Sequence, residues 1–176
     1  MKASTDNLIN AEPCNIKLVE ASVKDIPIIR EIAYKTWPVA YGQILSVEQL
    51  DYMLSRFYSD DTLACTIEAD HQYLLAVSGD DIVGFCSFEI RHDSAHIHKL
   101  YVLPAAQKLG IGQKLLQAIE VKVSDAAMNR ITLNVNRYNS AKDFYMRMNY
   151  TVGSEIDIEI GKGYLMQDYV MVKYLT

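Results

Sequence analysis

Leu100-Tyr101-Val102-Leu103-Pro104-Ala105-Ala106-Gln107-Lys108-Leu109-Gly110-Ile111-Gly112-Gln113 is the stretch on which the reading of this chain turns. It opens as the end of a strand, His96 to Leu103, closed by Pro104. It finishes as the start of a long helix, Gly110 to Ala127, whose Ile111, Leu115, Leu116, Ile119 and Val123 share one face. A helix start leaves unpaired backbone N–H groups and a partial positive charge. Glycines there let an anion approach the main chain closely, the geometry that holds a pyrophosphate. Two other phosphate loops are excluded. A dinucleotide fingerprint needs a third glycine at position 115, which is Leu115, and the P-loop pattern GxxxxGK[ST] is absent.

Upstream, Ile16 to Val19 reads as a short strand, and Ser22 as an N-cap with Asp25 favouring the positive helix end. Ile26, Ile29, Ile32, Ala33 and Trp37 recur at helical spacing, and Pro38 is expected to end that run. Ser46 and Gln49 form a capping-box pattern before a second helix carrying Leu50, Met53, Leu54 and Phe57. Asp60 and Asp61 are expected to cap a third, through about Ala69. Tyr73 to Val77 and Ile82 to Ile90, joined by Gly79-Asp80-Asp81, make an antiparallel hairpin.

Downstream, Ile131 to Val135 is a β-branched strand, and Asn139 caps a short helix through Met148. Val152 to Ile160 and Leu165 to Leu175 flank the turn Gly161-Lys162-Gly163. The fold class is α/β: a mixed, mostly antiparallel central sheet flanked by helices. One domain is expected over 13–176, behind a flexible arm over 1–12.

The 176 residues suffice for one real core, half of them are apolar, and 22% are charged. No run of about 18 apolar residues points to a membrane span. Net charge −5 argues against general attraction to nucleic acid. Cys14, Cys65 and Cys86 are widely spaced and odd in number, which argues against a disulfide framework and for a cytoplasmic protein.

Gln107-x-x-Gly110-x-Gly112 after Leu100-Tyr101-Val102-Leu103-Pro104 resembles the acetyl-CoA signature of the GNAT (GCN5-related N-acetyltransferase) superfamily. The series Asn136, Asn139, Ala141, Phe144-Tyr145, Met148-Asn149-Tyr150 is similar to that family's following strand and helix. Asn149 replaces the usual glycine, and asparagine tolerates the left-handed conformation a helix end needs. The stretch from Thr36-Trp37 to Tyr58-Ser59 resembles spermidine/spermine N-acetyltransferase-like bacterial members.

The resemblance implies an acetyl-CoA-dependent N-acetyltransferase acting by direct attack of an amine. A polyamine or other small amine is the first acceptor class, and a protein N-terminal amine or lysine the second. A non-catalytic acyl-CoA-binding module is the competing reading. The implied cofactor contacts are Leu100, Tyr101 and Val102 on the strand and Gln107, Lys108, Leu109, Gly110, Ile111, Gly112 and Gln113 in the loop, with Asn139 hydrogen-bonding the coenzyme, capping its helix, or both. Leu100 and Val102 act through backbone groups left free where neighbouring strands part. Tyr145 matches the family's general acid, and a phenol suits reprotonation of a thiolate.

Many members place a glutamate base where this chain has His96. His98 shares its strand face and is the other candidate. His92, His96 and His98 raise a metal site, but no carboxylate or cysteine at suitable spacing completes it, and no metal is expected. Trp37, Tyr41, Tyr52 and Tyr58, with Glu48 or Asp51, are candidates for lining an acceptor pocket. A homodimer through the edges of the final strands is common in the family, and nothing in the sequence decides it.

Overall fold

The computed structural model describes residues 15–69 and 71–176. The expected 1–12 arm and Cys14 lie outside the described residues. The chain runs β1 (Ile16–Glu20), α1 (Ile26–Tyr41), α2 (Val47–Phe57), α3 (Asp60–Glu68), β2 (His71–Ser78), β3 (Asp81–Ile90), β4 (Ala95–Val102), α4 (Ile111–Asp125), β5 (Arg130–Asn136), α5 (Ala141–Arg147), β6 (Thr151–Gly161) and β7 (Tyr164–Tyr174). The seven strands form one sheet in the order β1-β2-β3-β4-β5-β7-β6. Every neighbouring pair is antiparallel except β4 with β5.

Local chemistry sets most element ends. Ser22 and Asp25 form a reciprocal capping box over a short 3₁₀ turn that leads into α1. Ser46 accepts from the Gln49 amide, but the Gln49 side chain reaches away to the Leu165 carbonyl at 3.1 Å, so only half of the expected box forms. Ser59, not Asp60 or Asp61, caps α3 and accepts from the Thr62 amide; the two aspartates occupy the first turn and complement the helix dipole.

Pro38 does not end α1. The helix continues through it to Tyr41 and stops at Gly42, whose amide donates to the Pro38 carbonyl at 3.0 Å. A proline removes one donor, yet the turn beyond it stays helical and carries Tyr41, whose ring packs back on buried Trp37 with centroids 4.8 Å apart. Asn149 adopts φ 66°, the left-handed turn expected of it.

Neighbouring residues on β4 show the two layers. Leu100 lies against Gly112 of α4, whereas Tyr101 packs on Trp37 of α1 with ring centroids 6.2 Å apart. So α1 covers one face of the sheet and α4 the other, with α5 beside α4 through Phe144. Fully buried Phe85, Phe88, Leu115, Leu116, Ile119 and Met171 fill the interior. Among the described residues, no helix is long and apolar enough to cross a membrane.

Candidate active site

Strands β4 and β5 pair over only three residues, Ala95–Ile97 against Ile131–Leu133. Beyond them the strands part. The gap becomes a cleft of about 630 Å³, lined from β4 by Ile97 to Val102, from β5 by Leu133 to Val135, from α1 by Thr36 and Tyr41, and from α5 by Phe144 and Tyr145. Divergence leaves main-chain groups on facing strand edges without rungs, and buried backbone groups need partners. The site is therefore built to receive an extended ligand with amide groups of its own.

The glycine loop closes one end of the cleft. Gln107, Lys108, Gly110, Ile111, Gly112 and Gln113 line it; Leu109 does not, and is half-buried against the core. Lys108 at φ 65° and Gly110 at φ 77° turn the chain into α4. The Lys114 amide donates to the Gly110 carbonyl at 3.0 Å, and the amides of the turn before it are the orphans of a helix start. Gly112 has no unusual backbone angle. A Cβ there would stand 3.4 Å from the Phe144 ring and 3.7 Å from Leu100, so what its missing side chain leaves is room on the cleft side. The Ile111 side chain is buried and contributes backbone alone.

Two details differ from expectation. The Gln107 side chain donates to the Val102 carbonyl at 3.1 Å, so that carbonyl is already satisfied. The Tyr101 side chain turns away from the loop into an aromatic cluster.

Tyr145 and Asn139 both line the cleft. Tyr145 is buried, and burial, together with the charges of Tyr41 and Cys86, pushes its phenol above the ordinary tyrosine range. It stays protonated, as a proton donor must. Asn139 Oδ1 accepts from the Ala141 amide at 2.9 Å, realising the capping role, and the Asn139 side chain also hydrogen-bonds Tyr41.

His98 lines the cleft. His96 sits behind it, its Nδ1 2.8 Å from Thr132 Oγ1. Because the Thr132 hydroxyl donates to the Ala95 carbonyl at 3.2 Å, it accepts from His96, and Nδ1 carries the proton. Burial lowers both histidines to about 4; Arg91 adds to the effect at His96, and the neighbouring His96 and His71 add to it at His98. Both are neutral at physiological pH. A bulge puts His98 opposite the step between Ser87 and Phe88, and its Nε2 lies 3.1 Å from Glu89 Oε1.

His71 stacks on His98 with ring centroids 4.3 Å apart. The ligand atoms of His71, Glu89 and His98 fall within 4.8 Å of one another, so of the three histidines considered together only His98 belongs to this cluster, and neither His92 nor His96 does. Glu89 is also paired with Arg91.

The α1 side of the cleft is aromatic. Trp37 packs on Tyr41 and Tyr58, with centroids at 4.8 and 5.6 Å. Its indole N–H donates to the Tyr58 hydroxyl at 3.3 Å, and side-chain hydrogen bonds continue from Tyr58 to Tyr101 and from Tyr101 to Tyr41. Tyr52 belongs elsewhere, donating to the Ile160 carbonyl of β6 at 2.9 Å. Glu48 and Asp51 lie exposed on α2. Sequence reasoning missed Asp168 of β7, which is 6% exposed and whose charge is felt at Tyr41. No pattern within β7 marks it, since Gln167 and Lys173 share the strand with it.

The family model described as "Acetyltransferase (GNAT) domain" matches residues 44–172. A spermidine N(1)-acetyltransferase from Thermoplasma acidophilum is 25% identical over 159 residues, covering 87% of this chain and 96% of that protein. An uncharacterized N-acetyltransferase from Lactobacillus delbrueckii subsp. lactis is 26% identical over 172 residues, covering 92% of this chain and 98% of its own length. Among solved structures, a PaiA N-acetyltransferase from Thermoplasma acidophilum in complex with coenzyme A superposes with a TM-score of 0.78 at 25% identity, over 91% of this chain and 99% of that one.

Proposed function

The chain belongs to the GNAT acetyltransferase family, and from that premise we propose that it carries an acetyl group from acetyl-CoA to a primary amine by direct attack, the acceptor being a polyamine or another small amine. The observation that supports this most is the cleft itself: strands that part after three pairs, with a glycine-rich helix start at one end and Tyr145 on its wall. The orphan amides of residues 108–113 hold the diphosphate, and Gly112 gives it room. The freed edge of β4 around Leu100 pairs with the pantetheine arm and polarises the thioester carbonyl. The spermidine enzyme among the relatives supports the acceptor class.

Proton traffic falls to side chains on opposite sides of the sheet. A protonated amine cannot attack, so its proton must leave. His98 is neutral, lines the cleft, and takes that proton with Glu89 3.1 Å away to balance the imidazolium. Tyr145 returns a proton to the departing thiolate. Buried Cys86, its thiol pushed up to about 12, is no nucleophile, which fits a single direct transfer.

The test is single-turnover thiol release from acetyl-CoA with one acceptor at a time. Release with spermidine and related amines is expected. Release with peptides alone would overturn the acceptor class. Tight coenzyme binding with no release for any amine would make the domain a binding module.

A further inference from the structure

His71 stacks on the proposed base but takes no part in the transfer. It faces Glu89 directly across the β2–β3 ladder. On the other flank of Glu89, Ser87 pairs with Lys99 and Phe88 with Ile97, so His98 is the extra residue of a bulge in β4 and takes no rung of its own. Three adjacent strands thus bring two imidazoles to one carboxylate. His71 Nε2 lies 3.6 Å from Glu89 Oε2, and His98 Nε2 lies 3.1 Å from Glu89 Oε1.

Two imidazole nitrogens and one carboxylate oxygen are the donor set of three-ligand zinc sites, which leave a fourth position to water. Donors around a four-coordinate zinc stand about 3.3 Å apart. The two nitrogen–oxygen distances bracket that value, and all three donor atoms already lie within 4.8 Å of one another. The rings are 13° from parallel with centroids 4.3 Å apart, and rotation of each about its own side chain makes the two lone pairs converge. Imidazole donors favour zinc over magnesium or calcium, which take oxygen ligands.

The cluster is open to an ion. The side chains of His71, Glu89 and His98 keep 17, 18 and 24% of their exposure, and His98 lines the cleft. Arg91, now paired with Glu89, has a side chain 54% exposed and can turn into water when the carboxylate takes an ion. His96 stays outside, its Nδ1 held by Thr132, and so does exposed His92.

We infer that His71, Glu89 and His98 form an inhibitory site for a divalent transition-metal ion, with zinc the ion that fits best. The consequence rests on the amine-acetyltransferase reading; the geometry does not. A neutral imidazole carries one ring proton. With the ion on Nε2 of His98 that proton sits on Nδ1, and neither nitrogen is left to accept a proton from the amine. The same ion engages the carboxylate that would balance the imidazolium. The ion is a regulator, and the transfer runs without it.

The experiment measures initial rates of tag-free, metal-free enzyme with acetyl-CoA and spermidine over a zinc titration, beside His71→Ala and His92→Ala. Each rate is taken relative to the same protein without zinc. Wild-type turnover should fall at least about tenfold at saturation, within what loss of a general base costs. In His71→Ala the zinc midpoint should rise about a hundredfold, the upper end of what loss of an outer-shell partner costs a metal site. His92→Ala should respond as wild type does, and magnesium should have no effect. Zinc that raised the rate, left it unchanged, or inhibited wild type and His71→Ala alike would overturn the inference.

A second measurement needs neither a variant nor turnover. Histidine ring signals of the wild-type protein, followed by ¹H–¹⁵N NMR, should show zinc moving His71 and His98 together and leaving His92 in place. Ring shifts with no turnover of any amine would sink the acetyltransferase reading and keep the metal site. Turnover indifferent to zinc, with both rings unmoved, would do the reverse.

Discussion

Tyr145 and Gly112 are the residues on which the proposed chemistry can be tried most directly. Tyr145→Phe removes the proton donor and keeps the ring contacts with Phe144 and Tyr150, so turnover should fall about a hundredfold while coenzyme affinity stays nearly intact. Stopped-flow rates beside equilibrium titration would check it. Gly112→Glu should abolish coenzyme binding, since its carboxylate would fill the phosphate site; normal binding would show the loop assignment to be wrong. His98→Ala should lose rate that added imidazole partly restores, and a loss insensitive to imidazole would leave His98 structural. Gly112 was legible because a glycine-rich helix start is a local pattern, whereas Tyr145 and His98 were reached through the family resemblance. Asp168, Glu89 and His71 were not, because what makes them interesting is register: β7 brings Asp168 beside Asn136, and β3 brings Glu89 between His71 and His96. No spacing within one strand encodes that.

Among the elements, α1 holds the clearest disagreement between local rule and fold. A proline in a helix interior costs about 3 kcal/mol relative to alanine, yet α1 runs through Pro38 to place Tyr41 on the cleft wall. Pro38→Ala should therefore stabilise the protein, by at most about 3 kcal/mol in urea denaturation, and the displaced Tyr41 should weaken acceptor binding. A stability gain with no change in acceptor KM would mean that the proline does not position Tyr41. Sequence reasoning saw the face carrying Ile29, Ile32, Ala33 and Trp37 but ended the helix at Pro38 because it weighed the missing N–H and had no view of Tyr41 packing back on Trp37. Strand and helix order was legible for the opposite reason: alternation and 3.6-residue spacing are written in consecutive residues. The parting of β4 from β5 followed only from the family resemblance.

For the molecule as a whole, acid should be more damaging than its carboxylates alone imply. His96 and His98 are held near 4 when folded, against about 6.5 in an unfolded chain. The unfolded state thus binds more protons between those values, and stability falls as pH drops through that window. Asp168 acts in the opposite direction: folded, its carboxyl keeps its proton up to about 6, so its contribution to stability falls as pH rises toward that value. Melting temperatures from pH 7.5 to 4.5 should decline, and His96→Asn with His98→Asn should flatten the decline. Asp168→Asn should melt higher than wild type at pH 7.5, with the gap closing toward pH 4. A curve unaffected by the histidine pair would show that other groups govern acid sensitivity.

Three rungs, Ala95–Ile97 with Ile131–Leu133, are all the hydrogen-bonded ladder that joins the four-stranded half of the sheet to the three-stranded half. A ligand that lays its own amides along both free edges would act as a keystone. Its grip should slow amide exchange far from any contact, out to β2 on one flank and β7 on the other, so that a small molecule stiffens the span it bridges.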